Sequence, residues 1–385
     1  MNIKYLFVLL VALVSVIGCA GRSSSSIPLH QSERYYNYIQ PSFGQYVEAT
    51  QEWLEVNRAY ISDQHQKELA MNMPYEQGPA QTDKAILLVH GLGDSPYSFS
   101  DIANSLERSG FHVQVLLLPG HGSNPEHMHL PKYEDWQLIV DHYANLLKKQ
   151  YQEVWLGGFS TGGNLATIHA LDNDGISGLM LFSPGFETVT PFLENFTPLV
   201  AMFWEGWSAK EDNFAKYNSA PLSGAIEYSR SASVFREKVS RKIVTIPTLM
   251  VVSESDSVID AFKVKEYFNE RFVHPANRLI WYATEPSEID SDLISAYSMQ
   301  REDLKISTGS HMSPLFAPAN PYYGEFGEKT ICDNSFSSSD ISACEQGHPV
   351  WFSAWGYSEG DKIFARLTWN PYFSELEKAM GKITQ

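Results

Sequence analysis

The sequence is poor in cysteine and in basic residues, and both shortages narrow what the protein can be. It has 3 Cys in 385 residues, and its 28 Lys and Arg are outnumbered by 45 Asp and Glu, so the formal net charge is −17. A chain of this charge repels polyanions on average, and we see no cluster of Lys and Arg that would reverse the repulsion locally. We therefore expect no nucleic-acid partner.

The remaining composition is that of a folded protein with a large core. Hydrophobic residues make up 43% of the chain and charged residues 19%. The length allows one large domain or two modest ones, and no internal repeat is visible.

The N-terminal 26 residues, "MNIKYLFVLLVALVSVIGCAGRSSSS", begin with one lysine and an apolar stretch from Tyr5 to Ile17. This stretch is short for a membrane span and has the layout of a secretory signal. The tetrapeptide "VIGC" resembles the lipobox of bacterial lipoproteins. The resemblance implies a signal peptide over 1–18, acylation of Cys19 and a tether over 19–43. A cleaved signal with an incidental cysteine is the alternative.

A lipidated Cys19 implies a location in the bacterial cell envelope. The acyl chains would anchor the protein in a membrane, and Ala20 after the cysteine favours the outer membrane, facing the periplasm or the cell surface. Export also permits a disulfide between Cys332 and Cys344, which we expect to form. His348 alone adds too few ligands for a zinc site there, so we expect no metal and no cofactor. The oligomeric state is left open.

Short apolar runs alternate with amphipathic stretches from Lys84 onward. The runs "KAILLVH", "FHVQVLLL", "EVWLGG", "ISGLMLF", "PTLMVVS" and "NRLIWYA" are typical of strands. Helices are predicted over about 98–108 and 136–149, after Ser160, and at the C-terminus over about 372–380. This alternation predicts an α/β fold with a mostly parallel, doubly wound sheet, which binds ligands beyond the carboxyl ends of its strands.

Two stretches interrupt the alternation. Residues 185–245 contain an aromatic-rich segment and predict a helical cap between two parts of the core, 44–184 and 246–385. Its large side chains could line an acyl pocket or form the core of the cap: Phe192, Phe196, Phe203, Trp204 and Trp207. Residues 313–365 are rich in Ser, Gly, Pro, Tyr and Trp, and predict a long ordered peripheral loop.

The segment from Gly158 to Gly162, "GFSTG", matches the G-x-S-x-G pattern and lies between a predicted strand and a predicted helix. The two glycines allow a sharp turn that holds Ser160 in a strained conformation above the sheet. The N–H groups that follow lie at a helix N-terminus, where an anion is favoured. We therefore predict that Ser160 is a nucleophile.

A serine nucleophile needs a base and an acid that orients the base, and in this pattern they follow the serine in the order acid, then histidine. "VVSESDSVID" provides Asp256, with Glu254 and Asp260 as rivals. "STGSHMSP" provides His311. The other downstream histidines, His274 and His348, fall at a predicted helix end and in the peripheral loop.

The stretch "LLVHGLGDSP" follows the first strong strand and completes the predicted site. Its glycines let the backbone approach a bound group, so the N–H groups of Leu92 and Thr161 are expected to form an oxyanion hole. His90 is expected to be a hydrogen-bonded structural residue. A similar turn, "PGHG" around His121, is expected to be scaffold near the pocket.

Residues from about 84 to 312 resemble the α/β-hydrolase superfamily of the bacterial carboxylesterase and monoacylglycerol-lipase type, by "HGLGDSP", "LLPGHG", "GFSTGG" and a late "SHM". The resemblance implies a serine hydrolase acting on an ester or lipid. Thioesters or amides could be cleaved by the same residues. A hydrolase fold kept only for binding in the envelope is a third possibility.

Overall fold

The computed structural model describes residues 27–79, 81–189, 206–285, 291–335 and 337–385. The strands are β1 (Tyr75–Gln77), β2 (Lys84–Val89), β3 (His112–Leu116), β4 (Glu153–Phe159), β5 (Gly178–Phe182), β6 (Gly206–Trp207), β7 (Ala220–Pro221), β8 (Thr248–Ser253), β9 (Arg278–Ala283), β10 (Ile294–Ser298), β11 (Trp351–Ser353) and β12 (Phe364–Arg366). The α-helices are α1 (Phe43–Asn57), α2 (His65–Asn72), α3 (Ser100–Arg108), α4 (Tyr133–Gln150), α5 (Thr161–Asp172), α6 (Leu222–Arg241), α7 (Ala261–Arg271), α8 (Ser338–Glu345) and α9 (Phe373–Ile383).

An eight-stranded sheet forms the centre of the protein, in the order β1-β3-β2-β4-β5-β8-β9-β10. All neighbouring strands in it are parallel except β1, which pairs antiparallel with β3 at one edge. This confirms the predicted fold class, a mostly parallel sheet covered by helices. The predicted strands and main helices are also present, with ends shifted by a few residues.

Helices cover both faces of the sheet, and the strand sequences show why. In β2, Ala85, Leu87 and Val89 belong to one buried cluster, whereas Ile86 and Leu88 belong to another. The first cluster lies under α4, α5, α6 and α7, and the second under α3 and α9. Because both faces are buried, the strand is an unbroken apolar run rather than an alternating one.

Two strands of the sheet were not predicted. The first is β1, and the second is β10, which lies in the segment between β9 and His311 and adds an eighth strand beside β9. The peripheral stretch 313–365, predicted as an ordered loop, contains α8 and β11, and it leads into β12, which pairs with β11.

The predicted cap falls partly outside the described residues. Within it the structure describes the short β6–β7 hairpin and the 20-residue helix α6. Four of the aromatic residues expected there, Phe192, Phe196, Phe203 and Trp204, lie outside the described residues, and for Trp207 only the backbone is described.

The predicted signal peptide, Cys19 and the first part of the predicted tether also lie outside the described residues. Among the helices that the structure does describe, none combines the length and the apolar character that crossing a bilayer requires.

Candidate active site

Ser160 occupies the turn between β4 and α5 with φ of 52° and ψ of −116°, and only a few per cent of non-glycine residues have a positive φ. Hydrogen bonds to both the N–H and the carbonyl of Ser160 hold the turn in place. The Ser160 N–H donates to the Phe182 carbonyl at 3.1 Å, and its carbonyl accepts from Gly163 at 3.0 Å and Gly185 at 2.9 Å. These bonds fix a conformation that is strained for a residue with a side chain.

The two glycines of the motif are required by close packing. A Cβ atom on Gly158 would lie 2.2 Å from the carbonyl carbon of Gly162, and one on Gly162 would lie 1.9 Å from the Val89 carbonyl oxygen. Both neighbours are backbone atoms, which cannot move aside without shifting a strand or a helix. The short spacing of small residues around Ser160 therefore has a steric cause.

His311 lies beside the acid that the sequence ranked first. Its Nδ1 donates to Oδ2 of Asp256 at 2.6 Å, and the Asp256 side chain is fully buried. The other carboxylate oxygen accepts from the N–H groups of Val258 at 2.8 Å and Ile259 at 3.1 Å. Because both carboxylate oxygens have partners, the Asp256 side chain is fixed and orients the imidazole of His311. When Nδ1 carries the proton donated to Asp256, Nε2 has the lone pair that can accept another proton.

The rival acids have other partners. Glu254 accepts from the Trp281 indole at 3.3 Å and from the Thr284 N–H at 3.2 Å. Asp260 caps α7 by accepting from the Lys263 N–H at 3.0 Å. Of the three acids, Asp256 alone is hydrogen-bonded to His311 in the described part of the chain.

The other downstream histidines lie in other surroundings. His274 accepts from the Ala276 N–H within its own turn. His348 is exposed beyond the end of α8.

The expected oxyanion donors lie at the ends of β2 and β4. Leu92 and Thr161 line one pocket with Ser160, and a Cβ atom on neighbouring Gly91 would lie 3.0 Å from that of Ser160. Within the described residues, neither the Leu92 N–H nor the Thr161 N–H donates to another group. Thr161 is also the first residue of α5, where the helix dipole favours negative charge.

Two buried histidines hold the loop that carries Leu92. His90 donates from Nδ1 to the Gly91 carbonyl and accepts the Leu118 N–H at Nε2, which agrees with a structural role. His121 accepts the Gly93 N–H at Nε2, 3.0 Å away. Burial lowers the pKa of His90 well below its usual value and that of His121 to about 4, so both rings are neutral at pH 7.

We expect acid to destabilise the wild type more steeply than a His121→Gln variant. The pKa of His121 is about 4 in the fold and close to 6.5 in an unfolded chain, so between these values the unfolded chain binds more protons. The free energy of unfolding should therefore decrease as the pH is lowered from 6.5 towards 4, by up to about 1.4 kcal/mol per pH unit from this group, and this contribution to the slope should fade as the pH rises above 6.5.

The measurement is urea unfolding of both proteins across this range of pH. Glutamine keeps an acceptor for the Gly93 N–H but does not titrate, so the variant should be weaker at neutral pH and have a shallower dependence on pH. Parallel curves for the two proteins would contradict the buried, neutral state of His121.

The pocket that contains Ser160 and His311 has a volume of about 160 Å³. Sequence reasoning missed most of its walls, because their positions in the chain carry no local signal. Its lining residues are Leu92, Asp94, Phe159, Ser160, Thr161, Lys216, Tyr228, Val258, His311, Met312 and Arg366.

Cys332 and Cys344 form a disulfide, with Cα atoms 5.6 Å apart, within the peripheral stretch. Among the described residues, no group of three or more His, Cys, Asp or Glu side chains is arranged to hold a metal ion.

Comparison with known proteins gives one family and several relatives. The family described as "alpha/beta hydrolase fold" matches residues 84–214. A thermostable monoacylglycerol lipase of Bacillus sp. (strain H-257) is 25% identical over 192 residues, which are 48% of this chain and 73% of that protein. A carboxylesterase of Bacillus subtilis (strain 168) is 29% identical over 82 residues, 21% of this chain and 33% of that protein.

Among solved structures, the monoacylglycerol lipase of Paleococcus ferrophilus superimposes with a TM-score of 0.45 and 18% identity, covering 55% of this chain and 88% of that one. The chain has the alpha/beta hydrolase fold, and a monoacylglycerol lipase and a carboxylesterase are among its relatives.

Proposed function

We propose that the protein is a serine hydrolase that cleaves carboxylic esters through an acyl-enzyme intermediate. The observation that carries the proposal is a single pocket lined both by Ser160, in its strained turn, and by His311, whose imidazole is hydrogen-bonded to Asp256. The lipase and carboxylesterase relatives support ester hydrolysis as the reaction class.

In the first step, Nε2 of His311 takes the proton of the Ser160 hydroxyl as Oγ attacks the ester carbonyl carbon. Asp256 stabilises the imidazolium that forms and remains ionised. A positioned general base of this kind contributes roughly 10²–10⁴-fold to the rate. The imidazolium then donates its proton to the departing alcohol, and the acyl group stays on Ser160.

The charge on the carbonyl oxygen develops between the N–H groups of Leu92 and Thr161. Both donors are free in the described structure, so they need no reorganisation when the oxyanion forms. One such donor contributes about 3 kcal/mol in comparable enzymes. In the second step, His311 deprotonates a water molecule that attacks the acyl-enzyme, and the acid product leaves Ser160 regenerated.

A covalent serine probe and a panel of substrates test this function. We expect a fluorophosphonate to label the protein at Ser160, located by peptide mass spectrometry. The kcat/KM is then measured for matched p-nitrophenyl esters, thioesters and anilides of increasing acyl length, which compares cleavage of the three kinds of bond. A monoglyceride and a lysophospholipid test lipid substrates. Esters should have the highest kcat/KM. Faster turnover of thioesters or anilides would show that the protein acts on a different bond. A folded protein without labelling would favour a hydrolase fold that is kept only for binding.

We also propose that the protein is an acylated lipoprotein of the bacterial cell envelope, with Cys19 as its N-terminus. The proposal rests on the apolar leader and on the "VIGC" resemblance. It would bring the pocket to lipid esters at a membrane or to soluble esters entering the periplasm. Mass spectrometry of the mature N-terminus should find acyl chains on Cys19, and Cys19→Ala should release the protein from membranes. An unmodified Cys19, or a variant still bound to membranes, would contradict the anchor.

A further inference from the structure

Three charged side chains line the pocket of Ser160 and have no part in the proposed reaction. They are Asp94, Lys216 and Arg366. Two of them are cations and one is a carboxylate, so positive charge predominates among these three side chains, although the whole chain has a formal charge of −17. Cations in the wall of a pocket favour anionic ligands.

Arg366 is held in place by neutral groups. It is partly buried at the end of β12, where its Nε donates to Oδ1 of Asn334 at 2.7 Å and its Nη2 to the Asp333 carbonyl at 2.8 Å. Asn334 is fully buried and donates in turn to Ser353 Oγ at 3.0 Å. The guanidinium is therefore oriented before any ligand binds, which reduces the entropy lost on binding.

No carboxylate pairs with this guanidinium in the described part of the chain. Asp333 and Asp256 lie near enough to favour its charge, but Asp256 is committed to His311 and to two amides. Burial lowers the pKa of Arg366 to about 10, which leaves the group charged at neutral pH. A charged guanidinium in a pocket wall presents donors that match a carboxylate or a phosphate.

Lys216 provides the second cation. Its Nζ lies 3.5 Å from Oδ1 of Asp94, whose side chain is 5% exposed, against 29% for Lys216. The separation is long for a charge-assisted hydrogen bond, so Asp94 restrains the ammonium but leaves its donors available. The potential at the pocket therefore comes from both cations, whereas the rigid, oriented donor is Arg366.

We propose that Arg366 is a specificity-determining residue that binds an anionic group, carboxylate or phosphate, of the substrate close to the scissile ester. The proposal rests on the proposed ester hydrolysis at Ser160. Arg366 directly follows the peripheral stretch 313–365 and ends β12, which pairs with β11 of that stretch.

The test compares charged and neutral esters of matched size. p-Nitrophenyl hemiglutarate against p-nitrophenyl pentanoate places a carboxylate on the acyl side. 1-Butyrylglycerol 3-phosphate against 1-butyrylglycerol places a phosphate on the alcohol side. The wild type should have the higher kcat/KM for the charged member of at least one pair, and the pair concerned identifies the anionic group.

Arg366→Gln should lower kcat/KM for that charged ester about tenfold or more, mainly through KM, since a hydrogen bond between charged groups is lost. The kcat/KM for the neutral ester should fall much less than that for the charged ester. Arg366→Lys should retain part of the preference, because it keeps the charge but loses the two-pronged geometry. Arg241→Gln is the matched control, since Arg241 is 75% exposed and pairs with Glu237 on α6.

An equal loss on charged and neutral esters would overturn the proposal and make Arg366 a positioning residue for the Asp256–His311 pair. No loss on either would overturn it as well. If Arg366→Gln does not fold, added salt should weaken the wild-type preference for the charged ester, and a wild type without any preference ends the proposal. A protein that is labelled at Ser160 and cleaves neutral esters without charge preference retains the proposed function, whereas one that is neither labelled nor active loses both.

Discussion

Ser160→Ala should lower kcat for ester hydrolysis by roughly 10⁴-fold or more and abolish covalent labelling, with little change in stability. Removing the nucleophile of a Ser-His-Asp site has effects of this size because the partners cannot act without it. The residual rate would come from the amides of Leu92 and Thr161 and from substrate binding. The measurement is steady-state hydrolysis of the best p-nitrophenyl ester, with thermal unfolding to confirm the fold.

A matched control exists in the same protein. Ser313 is, like Ser160, a buried serine, and it lies close to His311 in sequence, but it accepts from the Ser310 N–H in its own turn. Ser313→Ala should leave labelling intact and lower turnover far less than Ser160→Ala does. Retained labelling and turnover in Ser160→Ala would show that the reaction, if any, occurs elsewhere.

Asp256→Asn should lower kcat by about 10³–10⁴-fold while the protein stays folded. Asn can keep its amide oxygen toward the N–H groups of Val258 and Ile259, which directs its NH₂ group at Nδ1 of His311. The imidazole must then accept at Nδ1 and carry its proton at Nε2. In that tautomer it cannot take the proton of Ser160.

Asp260→Asn is the comparison that isolates this effect. Asp260 differs from Asp256 in position by four residues and caps α7, and asparagine is an equally good cap. Its variant should retain most of the wild-type turnover. We compare kcat and its pH dependence for the two variants, since only disruption of the Asp256–His311 pair should change both quantities. If Asp260→Asn were the inactive variant, the assignment of the acid would be wrong.

Local sequence was sufficient to predict the central strands and the turn that carries Ser160. β2 and β4 are continuous apolar runs because both of their faces are buried, and such runs are recognisable in isolation. Gly158 and Gly162 were recognisable from the G-x-S-x-G pattern. The pattern is local because the backbone atoms that exclude a Cβ at these positions lie a few residues away or on the adjacent strand. The strand β10 was missed because its five residues, "ISAYS", are short and only partly buried.

The sequence limited the acid that orients His311 to three candidates, but their spacing alone could not identify it. Glu254, Asp256 and Asp260 all follow the same strand, and each has a buried or partly buried role in the fold. The turn at the end of β8 decides among them, because it directs both oxygens of Asp256 to specific donors. The sequence ranked Asp256 first from its distance to the strand, which left the direction of its side chain unknown.

Sequence by itself determined the features that depend on near neighbours in the chain: the strand-turn-helix around Ser160, the apolar runs of a two-sided sheet, and the proximity of Cys332 to Cys344. Tertiary structure alone decided which distant side chains share the pocket. Arg366 lies 206 positions after Ser160, and Lys216 and Asp94 come from other segments again. They meet because the order of parallel strands brings loops from separate parts of the chain to one edge of the sheet, and no pattern within a single segment encodes that order.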